Sequence, residues 1–217
     1  MNLIIIDYGS GNLKSVENAF LNSINENHLR CNIKVTNDLN SIIDADYLVL
    51  PGVGSFPDCK RGLEKKAGLI DVLNEQVIYK KKNFLGICVG MQLMFDYSSE
   101  KKHTTGFGWL RGNFNKIKID GLDYLGRTFK IPHMGWNKLK LENINHPLLK
   151  NINENDQYYF VHSYYLQESE KDKVIANTYY CHQIPAIVGK ENFVGVQFHP
   201  EKSSVSGQKL ISNWLKF

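Results

Sequence analysis

Hydrophobic positions in the first hundred residues fall into two alternating kinds of stretch. Residues 3–6, Leu-Ile-Ile-Ile, are apolar on both parities, as a strand covered on both faces requires. The turn Asp7-Tyr-Gly-Ser-Gly-Asn12 follows, and then Leu13, Val16, Ala19 and Phe20 share one helical face. Further apolar runs at 32–35 and 47–50 predict a second and a third strand, the latter running into Pro51-Gly-Val-Gly54. Residues 58–82 have helical patterning in two pieces that break near Gly68, and a fourth strand opens at Asn83. Strand and helix in alternation imply right-handed crossovers, hence an α/β fold with a mostly parallel sheet and helices on both faces. From about Thr105 the pattern shortens to extra strands of antiparallel type, including 136–141 and 157–161, and a last strand runs from 193 to 198. No linker, repeat or low-complexity segment divides the chain, so residues 1–217 are expected to form one domain.

In such a sheet, ligands bind beyond the carboxyl ends of the strands. Three loops converge on that edge: 7–12, 51–54, and the turn Gly86-Ile-Cys88-Val-Gly90, where the fourth strand passes into a helix. This last segment has the pattern of a nucleophile elbow with sulfur in place of oxygen. Its glycines relieve backbone crowding, and a helix N-terminus at Cys88 would favour thiolate. An ordinary buried cysteine is the competing reading, and the pentapeptide alone does not separate the two. The segment Phe198-His199-Pro200-Glu201 adds a base and a carboxylate at the same edge. Two residues apart on extended chain, and held extended by Pro200, His199 and Glu201 point the same way toward Cys88. A nucleophile, a base and an orienting acid make a catalytic set. The glycines at 9 and 11 also suggest a dinucleotide fingerprint, but the third glycine is missing.

Composition narrows the classes. The chain has 217 residues, 42% hydrophobic and 22% charged, with a net charge of +4, which suits an ordered globular protein. Its basic residues are scattered apart from Lys80-Lys-Lys82, read as a solvated helix end, so no nucleic-acid footprint follows. The apolar start is too short for a signal peptide, and no segment approaches a membrane span. Cys31, Cys59, Cys88 and Cys181 lack the spacing of a disulfide framework or a metal site, which fits a reduced cytoplasmic setting without metal or cofactor.

Taken together, Gly86-Ile-Cys88-Val-Gly90-Met-Gln92 and His199-Pro-Glu201 resemble the triad-type, class I glutamine amidotransferases. Asp7-Tyr-Gly-Ser-Gly-Asn12-Leu, Pro51-Gly-Val-Gly54-Ser-Phe, Pro132-His-Met-Gly-Trp136-Asn137 and Tyr159-Phe-Val-His162-Ser-Tyr164 resemble its branch of glutaminase subunits that serve imidazole glycerol phosphate synthase. The resemblance runs from residue 3 to the C-terminus and implies a flavodoxin-like fold. It implies that Cys88 is the nucleophile, His199 the base and Glu201 its partner. It places Gln92, Glu100, Gly54, Ser163 and Tyr164 around L-glutamine, with Gly52, Val53 and Val89 in the oxyanion hole. Asn12, Trp136 and Lys202 would face a (β/α)8 barrel cyclase subunit in a heterodimer that makes imidazole glycerol phosphate and AICAR in histidine biosynthesis. Trp109, Arg111 and Tyr179-Tyr-Cys-His182 depart from the family pattern.

Other readings stay open at the level of sequence. A paralogous subunit could supply ammonia for another acceptor, such as a sugar amidated for surface polysaccharide. Another elbow hydrolase would leave 7–12 and 132–137 without a role. A non-catalytic module on the same fold is opposed by the intact Cys, His and Glu set.

Overall fold

The computed structural model describes residues 1–122 and 126–216. The first half runs β1 (Asn2–Ile6), α1 (Leu13–Glu26), β2 (Asn32–Thr36), α2 (Leu39–Ile43), β3 (Tyr47–Gly52), α3 (Phe56–Glu64), α4 (Leu69–Asn74), β4 (Asn83–Cys88) and α5 (Val89–Gln92). A π-helical turn, Glu75–Tyr79, extends α4. The second half adds β5 (Phe95–Ser98), β6 (Thr104–Thr105), β7 (Leu110–Lys116), β8 (His133–Lys138), β9 (Lys140–Leu141), β10 (Gln157–His162) and β11 (Tyr164–Ser169). It closes with β12 (Val174–Tyr180), β13 (His182–Lys190), β14 (Phe193–Val196) and α6 (Ser204–Trp214).

Eight strands form the main sheet in the order β2-β1-β3-β4-β14-β13-β12-β9. The first five are parallel, and β13, β12 and β9 continue the sheet antiparallel. Among the parallel strands the order is the flavodoxin-like one, with the switch of direction between β1 and β3. Nearly every residue of β1, β3 and β4 is buried, because helices cover both faces. α1 and α6 pack together, and Trp214 meets the edges of Phe20 and Tyr47 at centroid distances of 5.7 and 5.3 Å. Two smaller sheets, β10–β8 and β11–β7–β5–β6, extend the carboxyl edge.

Three expectations are corrected. The stretch 136–141 is two strands in two sheets: Leu139 turns into the core and separates β8 from β9. The strand expected to reach Phe198 ends at Val196, with one further backbone bond to β13, from the Gln197 N–H to the Ala186 carbonyl at 2.9 Å. Pro200–Lys202 is a 3-10 turn rather than extended chain. The break near Gly68 is where it was expected, with Gly68 at φ 78° capping α4. Lys81 pairs with Glu191, and the Lys82 ammonium donates to the Ile43 carbonyl.

Candidate active site

Cys88 ends β4 at φ 54° and ψ −109°, a region that costs a side-chain-bearing residue about 1–3 kcal/mol. The crossing of β4 into α5 imposes it. A Cβ on Gly90 would lie 1.9 Å from the Leu50 carbonyl oxygen, and one on Gly86 would lie 2.6 Å from the Gly90 oxygen. The two glycines therefore serve close backbone approach. The helix dipole expected at the thiol is that of α5, four residues long, and so belongs to a single turn.

His199 and Glu201 meet across a turn and not along extended chain. Beyond β14 the His199 backbone N–H donates to the Tyr159 carbonyl at 2.9 Å, and the His199 carbonyl accepts from Ser203 Oγ at 2.6 Å. The 3-10 turn then carries Glu201 back, so that its Oε1 lies 2.8 Å from His199 Nδ1, with both side chains 2% exposed. Nε2 is buried without a hydrogen bond of regular geometry. Burial alone would lower the imidazole pKa. Interaction with Cys88 and hydrogen bonding to Glu201 outweigh it and raise the value to about 10. A ring charged at neutral pH beside the sulfur can later donate its proton.

A cavity of about 490 Å³ opens over this pair. Cys88, Val89, Gln92, Val53, Gly54, Glu100, Ser163, Tyr164, His199, Asn12 and Lys202 all line it, so nearly every residue carried over from the resemblance meets in one place. Glu100 Oε2 accepts from the Phe56 N–H at 2.7 Å, and burial raises its pKa despite that bond. Val89 is the first residue of α5, so its N–H has no acceptor within the helix. Val53 N–H donates to Ser10 Oγ at 3.3 Å, and the Val53 carbonyl accepts from Ser10 Oγ at 2.7 Å. Gly54 has φ 95°, which leaves this loop free to turn. The 7–12 loop, whose glycines had suggested a dinucleotide site, braces 51–54 instead: Tyr8 OH donates to the Pro51 carbonyl at 2.8 Å.

Three carried-over residues lie outside the cavity lining. Glu201 stands behind His199, and Gly52 pairs with Cys88 at the end of β3. Trp136, 51% exposed, stacks edge-on to Tyr159, over which Lys202 Nζ also sits at 5.9 Å. Trp109 is a packing residue, its ring against Phe84 and Phe193 and its Nε1–H on Asn74 Oδ1 at 2.7 Å. Arg111 is exposed, 3.8 Å from Asp96. In the 179–182 segment, Tyr180 stacks on His133 at 4.1 Å and the Tyr179 carbonyl accepts from Asn137 at 2.9 Å.

The sequence pattern assigns no role to three polar side chains that the structure joins to the site or beside it, Gln197, His133 and His162. Gln197 Nε2 donates to Cys88 Sγ at 3.7 Å, and Gln197 Oε1 accepts from Gln92 Nε2 at 3.2 Å. The available signal was a glutamine inside an otherwise apolar run, Val194 to Phe198. His162 Nδ1 donates to the Tyr164 carbonyl at 2.9 Å, which fixes its Nε2 as acceptor for His133 Nδ1, also at 2.9 Å. His133 Nε2 in turn accepts from Asn137 Nδ2 at 3.2 Å. Burial holds both rings neutral, lowering His133 to about 3 and His162 to about 4.

The family model described as glutamine amidotransferase class-I matches residues 4–216. The chain is 42% identical to the imidazole glycerol phosphate synthase subunit HisH of Brucella abortus (strain 2308), over 100% of this chain and 99% of that one. It is 43% identical to the HisH subunit of Agrobacterium fabrum, with the same coverage. Among solved structures, one titled glutamine amidotransferase superposes with a TM-score of 0.70 at 13% identity, over 98% of this chain and 97% of that one. A glutamine amidotransferase from Thermotoga maritima gives 0.54 at 14% identity, over 100% of this chain and 83% of that one. These two structural likenesses show the fold alone.

Proposed function

Because the chain belongs to the class-I glutamine amidotransferase family, we propose that it is the glutaminase subunit of an imidazole glycerol phosphate synthase, hydrolysing L-glutamine and passing ammonia to a cyclase partner. The observation that carries the chemistry is Cys88, held at a strained elbow in a cavity, with the His199–Glu201 pair beside it. The Cys88 sulfur attacks the side-chain amide carbon, and the carbonyl electron pair moves onto oxygen. The N–H of Val89 and, once its loop has turned, that of Val53 face that charge. As the C–N bond breaks, His199 protonates the departing ammonia, and a water activated by the same ring then cleaves the γ-glutamyl thioester to glutamate. Glu201 keeps the ring in register and supports its charge. Gln92, Glu100 and the Ser163–Tyr164 backbone hold the substrate.

The resting loop does not offer its donor, since Val53 N–H is taken up by Ser10. A peptide flip would release that bond and complete the oxyanion site, a change worth roughly 3–4 kcal/mol of transition-state stabilisation. Asn12, Trp136 and Lys202 lie on the same face, where a (β/α)8 barrel subunit that makes imidazole glycerol phosphate and AICAR would bias the flip. The test is glutamate release by the chain alone, with the barrel subunit, and with barrel subunit plus its acceptor nucleotide. The reading expects turnover to rise at each step. Equal rates in all three would refute it, and activation only by an unrelated synthase would move the chain to another amidation pathway.

A further inference from the structure

We propose that Gln197 is a catalytic residue, its side-chain amide donating to the nucleophilic sulfur while its carbonyl fixes the glutamine-binding arm of Gln92. This rests on the reading of Cys88 as nucleophile. Gln197 is 0% exposed and lies between Val196 and Phe198, both 0% exposed as well. An amide there forfeits about 1–3 kcal/mol unless it is hydrogen-bonded, whereas an apolar side chain of similar volume would forfeit nothing. Both ends of the amide find their partners inside the site: Nε2 at 3.7 Å from Cys88 Sγ, and Oε1 at 3.2 Å from Gln92 Nε2. The backbone is pinned independently, with Gln197 N–H on the Ala186 carbonyl at 2.9 Å, so the side chain's role is separable from the strand's.

The direction of the two bonds matters. With Nε2 toward sulfur, the donor meets an atom that gains negative charge when it ionises, and hydrogen bonds to charged acceptors are about twice as strong as neutral ones. Tied through its own Nε2, Gln92 has its carbonyl oxygen left for the ligand in the cavity it lines. The reversed amide would set an oxygen against the sulfur, which suits only an S–H. Gln197 thus offers the nucleophile a neutral donor that is independent of the ring of His199.

The test reads the reactivity of the Cys88 sulfur itself rather than glutamine turnover. The full chain is treated with iodoacetamide at neutral pH, and carbamidomethylation of each cysteine is followed by peptide mass, Cys31 serving as the internal reference. Gln197→Met keeps length and removes the donor, and Gln197→Leu removes it in a branched side chain that makes no hydrogen bond. Both should slow Cys88 relative to Cys31 by about tenfold or more, as loss of a hydrogen bond to a charged group implies. Gln92→Leu should raise KM for glutamine, because Gln92 lines the cavity. An unchanged ratio in either Gln197 variant overturns the inference, and each variant decides it alone. Glutaminase turnover that survives complete alkylation of wild-type Cys88 would instead overturn the nucleophile reading.

Discussion

Lowering the pH from 7 to 5 should destabilise this protein through the buried pair His133 and His162. Both rings are neutral in the native state, depressed from the ordinary 6.5 to about 3 and about 4, first by desolvation and then by neighbouring imidazoles. A group whose native pKa is lowered takes up its proton first in the unfolded chain, so stability falls as pH drops below 6.5. At pH 5 an unfolded histidine is almost fully protonated while these two are not, which costs roughly 2 kcal/mol each and about 4 kcal/mol for the pair relative to pH 7. His199 acts with the opposite sign. Its native pKa is raised, so its contribution is fully present below 6.5 and is lost only as pH climbs toward 10, returning about 1 kcal/mol over the same interval. Together these three rings lose about 3 kcal/mol, a large part of a typical 5–15 kcal/mol stability. Urea denaturation at pH 7 and pH 5 measures it, with a His133→Gln/His162→Gln double variant as reference, because glutamine keeps hydrogen-bonding capacity without titrating. Wild type should lose about 4 kcal/mol more than the double variant between the two pH values. Equal losses would show that the pair does not stay neutral in the native state.

Other substitutions probe the elbow, the triad and the loop. Gly90→Ala sets a Cβ 1.9 Å from the Leu50 carbonyl oxygen and should lower stability by about 3–5 kcal/mol, read from the denaturation midpoint; a loss below 1 kcal/mol would mean that the crossing relaxes easily. Glu201→Gln should impair glutamine hydrolysis less than His199→Ala, since the carboxylate orients the ring and the ring moves the proton; equal losses in kcat/KM would count against that division. Ser10→Ala removes the group holding Val53 and should raise glutamate release by the isolated chain relative to wild type, while an unchanged rate would show that Ser10 does not restrain the loop.

The parallel core was legible because its strands are apolar on both parities, a pattern that a half-exposed strand does not produce, and Leu3 to Ile6 and Tyr47 to Leu50 form as read. The convergence of Cys88 and His199 followed from strand direction alone. What failed was local. The run 136–141 alternates well enough for one strand, but Leu139 is claimed by the core and the chain changes sheets around it. Pro200 disfavours helix in the residue before it and fits the first position of the 3-10 turn after it, and the second effect sets the path to Glu201. The contacts of Gln197 and Ser10 are not legible in the sequence because their partners, Cys88 and Val53, are 109 and 43 residues away and come from other loops of the same edge. The His133–His162 contact likewise depends on the antiparallel register of β8 and β10, which pairs those two positions and which periodicity does not specify.

The most direct test of the account is product formation by the chain in complex with the barrel subunit, with either glutamine or ammonium as nitrogen source, for wild type and Cys88→Ala. The variant should lose the glutamine-dependent reaction and keep the ammonium-dependent one, because the sulfur serves only the release of ammonia. Glutamine-dependent turnover in Cys88→Ala at the wild-type rate would contradict the assignment of Cys88 as nucleophile, and with it the proposed mechanism.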